Sequence, residues 1–363
     1  MPDGTGGTMT HRERFLATMR YQTVDRVPYR DAGAWPETIE RWKTEGYDPD
    51  KTPFTSDPTD GFGGWFFPTP RFERVVTEED ERSVTYINPE GILIRERKDY
   101  PASSMPQFLR FPVETREDFR TFWAERMQPD LAKRIGPDWR EQLTSRRDRD
   151  VPFVIIADRW GGFFGPLRNL VGVEDLCTMF YTDPAFVEEM MDAAADLIIQ
   201  IMGQVLDCTS VDFFGFWEDM GHKTGPLIGP DLVRTFMLPR YRRVTDFLRA
   251  RGVEFISLDS DGDISSLIPI WLESGINIVY PFEVQCGMDV VKARREFGRD
   301  LRICNGIDKR AIARGREAID AELERVAPLV KDGGYIPGPD HSLPPDVSFA
   351  NYCYFMEALY RIL

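Results

Sequence analysis

The sequence has few of the residues on which metal and disulfide sites depend. Its five cysteines are Cys177, Cys208, Cys286, Cys304 and Cys353, and none form a Cys-x-x-Cys pair. This odd, scattered set predicts a reducing compartment with no disulfide framework and no obvious thiolate metal site. Only three histidines are present. Because His11 lies close to the start, histidine-dependent chemistry is left to His222 and His341.

Long apolar runs and an excess of positive charge are also missing. No run approaches the roughly 18 to 20 apolar residues that span a bilayer. The N-terminus lacks the charged-then-apolar pattern of a signal peptide. The formal net charge of −15 opposes binding to nucleic acid or to an anionic membrane, because both require a cationic surface. We therefore expect a cytoplasmic protein with a small-molecule substrate and neither of those partners.

The alternation of strand and helix patterns predicts a barrel. The predicted strands are residues 27–31, 153–157, 211–216, 253–258, 277–280, 301–304 and 334–337. Helical patterns between them favour a TIM barrel with its eighth strand unlocated. No Gly-x-Gly-x-x-Gly follows the first strand, so a dinucleotide-binding fold lacks its fingerprint. Residues 1–8 are predicted to be a flexible leader, residues 9–363 a single barrel domain, and residues 72–99 an inserted three-stranded antiparallel meander.

Polar side chains follow nearly every predicted strand. The pattern is clearest at residues 253–263, where an apolar strand runs into Asp259, Asp261 and Asp263, and Gly262 eases the turn. The other strands are followed by Asp31, Asp158, Glu218, Asp219, His222, Glu283, Asn305, Asp308, Asp340 and His341. Because the carboxyl ends of barrel strands meet at one mouth, we expect most of these side chains to line a common cavity. Each one alone also suits a turn or a helix cap.

An acidic, amide-containing cavity is suited to hydrogen-bond donors: a guanidine-like ring edge, an amine or a hard cation. Crowded carboxylates raise one another's pKa, so one of them could serve as a general acid near neutral pH. A helix-entry position for His222 and a loop position for His341 are each as consistent with the sequence as a functional role. Aromatic residues near loop glycines, such as Trp160, could wall a planar ligand, although such residues more often pack in a core.

Six stretches of the sequence carry a family resemblance. They are RERFLATMRYQTVDRVP, GGFFGPLRNLVGVEDLCTMFYTDP, WEDMGHKTGPLIGPDL, FMLPRY, LDSDGD and the end running from Gly-Gly-Tyr-Ile through His341 to Pro344-Pro345. Together they resemble the uroporphyrinogen decarboxylase superfamily, which includes porphyrin decarboxylases and the barrel methyltransferases of corrinoid-dependent methyl transfer. The resemblance begins near Thr10 and reaches the C-terminus. It implies a distorted (β/α)8 TIM barrel, and it makes a homodimer an expectation.

The sequence departs from that family at positions that decide its chemistry. Decarboxylases carry Met-Arg-Gln-Ala-Gly-Arg-Tyr, whose two arginines meet acidic groups of the substrate; here Arg30 is kept, Asp31 replaces the glutamine and Ala34 the second arginine. Thiol-directed methyltransferases hold zinc with His-x-Cys, where this sequence has Asp259 and Asp261, and with a later cysteine. The resemblance therefore argues against both chemistries. Asp259, Asp261 and His341 remain a predicted site for a divalent metal.

A third branch of the family moves methyl groups between a corrinoid protein and tetrahydrofolate without zinc, and this is the function that we predict. The corrinoid would belong to a separate partner, since no Asp-x-His-x-x-Gly stretch is present. The predicted catalytic residues are Asp259, Asp340 and His341. The predicted substrate-binding residues are Arg30, Asp31, Asp158, Trp160, Glu218, His222, Asp261, Glu283 and Asn305. Two alternatives stay open: a metal-dependent lyase, demethylase or decarboxylase acting on a small methoxylated or carboxylated compound, and a non-catalytic relative that binds a ligand.

Overall fold

Helices make up most of the regular secondary structure among the described residues, and several begin at a side chain that caps them. A computed structural model describes residues 9–50, 56–101 and 104–363. The predicted leader, residues 1–8, lies outside the described residues. Thr10 forms a capping box with Glu13, and Thr115 forms a second one with Asp118. The helices are α1 (His11–Met19), α2 (Pro36–Thr44), α3 (Arg116–Arg126), α4 (Leu131–Ile135), α5 (Trp139–Thr144), α6 (Phe164–Val171), α7 (Val173–Thr182), α8 (Pro184–Cys208), α9 (Pro230–Leu232), α10 (Leu238–Ala250), α11 (Ile268–Glu273), α12 (Val290–Phe297), α13 (Lys309–Arg314), α14 (Arg316–Asp332) and α15 (Phe349–Tyr360).

Two helical turns of other types are also present. A π-helical turn, Val233–Met237, separates α9 from α10, and a 3-10 turn covers Val284–Cys286. In the part of the chain that the structure describes, every helix is too short or too polar to cross a lipid bilayer.

Strands of two kinds are present, parallel and antiparallel. They are β1 (Val75–Glu79), β2 (Ser83–Ile87), β3 (Leu93–Arg97), β4 (Gln107–Arg110), β5 (Val154–Ile156), β6 (Phe213–Trp217), β7 (Gly221–His222), β8 (Gly225–Pro226), β9 (Phe255–Asp259), β10 (Ile278–Tyr280), β11 (Arg302–Cys304) and β12 (Tyr335–Ile336). The parallel sheet has six strands, β5, β6, β9, β10, β11 and β12. With helices between them, these strands confirm the predicted α/β fold of the distorted TIM-barrel type.

The chain divides into two units. Unit 1 contains Met1–Asp60, Asp148–Val154 and Ile278–Leu363, and unit 2 contains Gly61–Arg147 and Ile155–Asn277. The single domain predicted over residues 9–363 stays a prediction. In unit 1, β11 lies between β10 and β12 and pairs with both in parallel. In unit 2, β6 pairs in parallel with β9, in a register that begins at Phe213 opposite Phe255 and ends at Trp217 opposite Asp259.

The antiparallel meander predicted at residues 72–99 is confirmed, and it is larger than expected. Its four strands lie in the order β1-β2-β3-β4, all in unit 2. The fourth strand, Gln107–Arg110, falls beyond the predicted boundary. The segment before it contains Pro101 and Pro106, and proline is unfavourable within a strand, so the sequence pattern predicts that the sheet ends earlier.

The predicted first barrel strand, residues 27–31, is wrong. The N–H of Tyr29 donates to the Asp57 carboxylate at 2.9 Å, and the N–H of Asp31 donates to the Ser56 hydroxyl at 2.7 Å. Side chains therefore take two of the donors that a strand ladder would use, and residues 27–31 are not part of a strand.

Candidate functional site

Carboxylates gather in unit 2 where its parallel strands end. Asp259 closes β9 directly opposite Trp217, the last residue of β6. The Asp259 carbonyl accepts the N–H of Glu218 at 2.9 Å and that of Asp219 at 3.4 Å. Asp261 lies close enough for its charge to act on Asp219. The two strand ends therefore place several acids within one small region, as the sequence predicted for neighbouring strands.

Asp219 is held by Arg168 and has an unusual backbone conformation. Burial raises the pKa of its carboxyl, the nearby Asp261 raises it further, and the Arg168 guanidinium lowers it, with a net upward shift. Arg168 pairs with this carboxylate at 2.9 Å and also donates to the Asp219 carbonyl. The backbone φ of Asp219 is +44°, which few residues other than glycine adopt. The Asp219 carboxylate is thus held in place, close enough to Asp261 to feel its charge.

Two glycines bring the loops after β6 and β9 into backbone contact. A Cβ at Gly262 would lie 2.6 Å from the Gly221 carbonyl carbon, and a Cβ at Gly221 would lie 2.2 Å from the Asp261 carbonyl oxygen. The N–H of Asp263 donates to the His222 carbonyl at 2.9 Å. The His222 ring itself is exposed. Gly262 is therefore needed for the close approach of the two loops as well as for its turn.

Glu218 points away from solvent, into the start of α6. Its carboxylate accepts the N–H groups of Phe163, Phe164 and Gly165 at 2.6 to 3.0 Å and the hydroxyl of Tyr241 at 2.5 Å. Its side chain has no exposed surface. Burial raises its pKa to about 7, against the opposing effect of these hydrogen bonds. This geometry favours a positioning role, and the predicted contact with a substrate stays a prediction.

Asp158 and Trp160 organise the loop after β5. The Asp158 carboxylate accepts the N–H of Trp160 at 3.1 Å and that of Phe66 at 3.4 Å, and burial raises its pKa. Trp160 is 2% exposed, and its ring stacks on Phe122 with the centroids 5.9 Å apart. Its surroundings favour core packing over a wall for a ligand.

In unit 1, Asp340 is the centre of the polar residues that follow β10, β11 and β12. It has no exposed surface, and its carboxylate accepts the N–H of Val284 at 2.9 Å and that of Lys309 at 3.1 Å. Burial raises its pKa, and the positive charge of Lys309 opposes that shift. The buried Lys309 ammonium also lies 3.9 Å from the Glu283 carboxylate. Asp340 therefore fixes the loops that carry Glu283 and Lys309.

The remaining predicted residues of unit 1 lie on the loops beside it. The Arg30 guanidinium lies 5.9 Å from the centroid of the Tyr280 ring. The Asp31 carboxylate accepts the hydroxyl of Tyr352 at 2.7 Å. His341 is half-buried. The structure thus places Arg30, Asp31, Glu283, Asn305, Asp340 and His341 in unit 1, and Asp158, Trp160, Glu218, His222, Asp259 and Asp261 in unit 2. That all of them line one cavity stays a prediction.

Asn305 has the backbone conformation and the contact of a loop anchor. Its φ is +66°, and its side-chain amide donates to the Pro339 carbonyl at 2.8 Å. A Cβ at the neighbouring Gly338 would lie 2.2 Å from the Arg30 carbonyl oxygen and 3.2 Å from the Asn305 amide nitrogen. Asn305 therefore holds residues 337–339 against the segment that carries Arg30.

Asn305→Ala is expected to lower the free energy of unfolding by about 2 kcal/mol, because a buried carbonyl loses its donor and alanine strains at positive φ. Urea denaturation followed by circular dichroism measures the change. Asn351→Ala is the matched control, since its amide also donates to a carbonyl, that of Ala313 at 3.2 Å, but its backbone is helical. A loss of about 1 kcal/mol is expected there. Equal losses for both variants would contradict the anchoring role.

A metal site does not emerge from the side chains. Across residues 9–50, 56–101 and 104–363, no three His, Cys, Asp or Glu side chains converge as metal ligands would. The predicted set draws Asp259 and Asp261 from unit 2 and His341 from unit 1. The metal site at these residues stays a prediction.

Three residues near these acids were not predicted from the sequence. Arg168 and Tyr241 are separated from their partners by 51 and 23 residues, so no local pattern could have identified them. Lys309 had a usable signal, because it directly follows Asp308 at the end of β11. Two open cavities of about 500 and 880 Å³ also lie in unit 2, lined by residues of the meander, α3, α7 and adjoining segments.

Comparisons with known proteins agree with the fold. The family described as "Uroporphyrinogen decarboxylase (URO-D)" matches residues 154–362. A solved structure, the "methyltransferase from Methanosarcina mazei", is similar with a TM-score of 0.61 and 15% sequence identity, over 98% of this chain and 98% of that chain. No curated protein is matched by the sequence.

Proposed function

The chain belongs to the uroporphyrinogen decarboxylase family, and from that premise we propose that it is a methyltransferase that moves a methyl group between a corrinoid protein and a small acceptor such as tetrahydrofolate. The observation that carries the proposal is the gathering of Asp219, Asp259 and Asp261 where the paired strands β6 and β9 end. A pterin presents adjacent N–H donors along one edge, and carboxylates are the side chains that accept them most strongly.

Arg168 holds one of these acids, Asp219, in position. Because it binds the Asp219 carboxylate at 2.9 Å, it keeps one of the two acids in place and offsets part of its repulsion from the other. In the proposal, Asp261 and Asp259 accept the N–H groups of the ring, while Asp219 and Arg168 fix the loop that faces them.

Proton transfer is the other requirement. When a methyl group leaves a ring nitrogen of methyltetrahydrofolate, the carbon–nitrogen bond breaks, its electron pair stays on nitrogen, and nitrogen takes a proton. The partner's corrinoid would accept the methyl group in this direction and would supply it in the reverse direction, in which nitrogen loses the proton. His341, which is half-buried, stays the residue predicted from the sequence for this proton transfer. The fully buried Asp340 is assigned to holding the loops around Glu283 and Lys309.

Two further observations support this choice within the family. The solved structure with a similar fold is a methyltransferase. The loss of the second arginine at Ala34 removes an anchor for a porphyrinogen with many carboxylates, and the strand-end acids of unit 2 would repel such a substrate.

The test is methyl transfer from methylcobalamin to tetrahydrofolate, with free methylcobalamin standing in for the partner's corrinoid. Turnover is measured by the decrease in methylcobalamin absorbance and by mass spectrometry of the methylated folate product. Calorimetry measures the binding of tetrahydrofolate. Asp261→Asn is expected to lower kcat/KM about 30-fold, because a charged hydrogen bond of about 2 kcal/mol is lost.

Asp263→Asn is the matched control, since the same change falls two residues away. The Asp263 carboxylate accepts the N–H and hydroxyl of Ser265 at 3.1 and 2.7 Å, which is a turn contact. Its kcat/KM should stay within about threefold of the unmodified protein. If neither transfer nor folate binding is detected, the proposed function fails. If both variants are equally active, the function stands and the role of Asp261 does not.

A further inference from the structure

A groove in unit 2 has no part in the proposed reaction. It has a volume of about 880 Å³ and lies between β4 and α7. The rings of Phe108 and Phe111 stack along it with their centroids 5.9 Å apart. A Cβ at Gly172 would lie 2.7 Å from the Phe111 ring, so the floor of the groove is tightly packed. The groove therefore has a formed aromatic floor within a lining of mixed apolar and polar residues.

One wall of the groove is the edge of a sheet. In the order β1-β2-β3-β4, β4 is terminal, and among the described residues no strand pairs with its outer edge. Its side chains Phe108 and Leu109 are 37% and 38% exposed, and both line the groove. The register of β4 against β3 shifts next to Leu109, which allows two consecutive side chains to face the same groove. An exposed apolar edge of this kind pairs readily with an added strand.

The charges around the groove select what can bind there. Among the described residues that line it, Glu114, Glu174 and Asp175 are acidic and Arg110 is the single basic residue. Glu174 and Asp175 lie together in the first turn of α7. A second copy of this chain would bring another such rim and a formal net charge of −15 against the first. Charge therefore favours a basic occupant.

We propose that this groove binds an extended, basic segment of a partner protein by adding a strand to β4. Alternate apolar side chains of the segment contact Phe108 and Leu109, and lysine or arginine side chains contact the acidic rim. The four residues of β4 span about 13 Å, so the paired segment is about four to six residues long.

The probe for this surface is a fluorescein-labelled octapeptide of alternating valine and lysine, titrated with the full chain and followed by fluorescence anisotropy. Binding is expected to weaken as salt rises, because the rim contacts are electrostatic. Leu109→Asp should weaken it by at least roughly tenfold. Val76→Asp is the matched control, because Val76 is 42% exposed on the opposite edge strand β1. It should change binding by less than about twofold.

Two altered peptides test the mode of binding. Replacing the lysines with glutamates should abolish binding, and N-methylation of alternate amides should weaken it by roughly tenfold or more, because the added strand loses its backbone donors.

Four results would overturn the proposal. They are no detectable binding of the valine–lysine peptide at millimolar concentration, equal binding of the glutamate peptide, equal effects of Leu109→Asp and Val76→Asp, and a dimer in sedimentation that Leu109→Asp dissociates. The last would assign the groove to a second copy. Thermal unfolding of both variants verifies that each one is folded.

Discussion

Glu218→Ala is expected to lower the free energy of unfolding by about 4 kcal/mol. The substitution leaves three backbone N–H groups and the Tyr241 hydroxyl without their acceptor in a site that water does not reach. Urea denaturation near pH 6, followed by circular dichroism, measures the loss. Tyr241→Phe removes one of the four donors and should cost only about 1 to 2 kcal/mol.

Glu218 also gives stability a specific dependence on pH. Burial raises its pKa from 4.5 to about 7 in the folded protein, so between these values the folded state binds more protons than the unfolded state. This contribution is complete below pH 4.5 and is lost as the pH rises through about 7, with a total of about 3 kcal/mol. Glu218→Gln, which does not titrate, should remove that decline. A Gln variant with the same slope as the unmodified protein would show that another group titrates.

Gly262→Ala should cost about 4 kcal/mol as well, for a different reason. Its φ is +84°, and a Cβ would lie 2.6 to 2.8 Å from backbone atoms of Gly221 and His222. Strain at positive φ and steric overlap with a neighbouring backbone add together. Since Asp261 precedes this position, the proposed methyl transfer, if the assay detects it, should fall with stability.

Gly252→Ala separates the two causes. Gly252 has a nearly identical φ of +87°, but a Cβ there would meet nothing within 4 Å. It should cost only the conformational strain of about 1 to 2 kcal/mol. Thermal and urea unfolding of both variants measure the difference. Equal costs would mean that the loops after β6 and β9 separate easily, contrary to the close contact in the structure.

The parallel strands could be predicted from the sequence because their residues are apolar in continuous runs. Residues 253–258 and 211–216 overlap β9 and β6, which are buried along most of their length. Residues 27–31 have a similar apolar start, but Asp57 and Ser56 take their backbone donors, and no property of the segment itself reveals that. The prediction of strands thus succeeded where the burial of apolar residues determines that a strand forms. It failed where a side chain distant in the sequence takes the backbone donors.

The start of α6 could not be predicted from the sequence for a related reason. The sequence before α6 is rich in glycine and phenylalanine. The N-terminus of α6 is held by Glu218, which is 53 to 55 residues away in the sequence. A local pattern cannot contain that cap.

The candidate site follows the same division. The acids after each strand could be predicted, because an abrupt change from apolar to acidic residues is visible in the sequence. Their roles could not, since burial and partners decide them: Glu218 and Asp340 are fully enclosed, while Asp261 is half-buried. Arg168 and Tyr241, which determine how the acids behave, belong to helices elsewhere in the chain. The family, by contrast, was identified correctly from its short motifs.

The π-helical turn at Val233–Met237 sets the rotational phase of α10. A π-helical turn corresponds to one residue inserted into an α-helix, and one residue corresponds to about 100° of rotation about the helix axis. Tyr241 lies just beyond this turn and reaches Glu218 with its hydroxyl. With a regular α-helix over the same residues, that hydroxyl would face a different direction. A single extra residue in one helix thereby determines that Tyr241 is the partner of Glu218, the buried acid that directly follows β6.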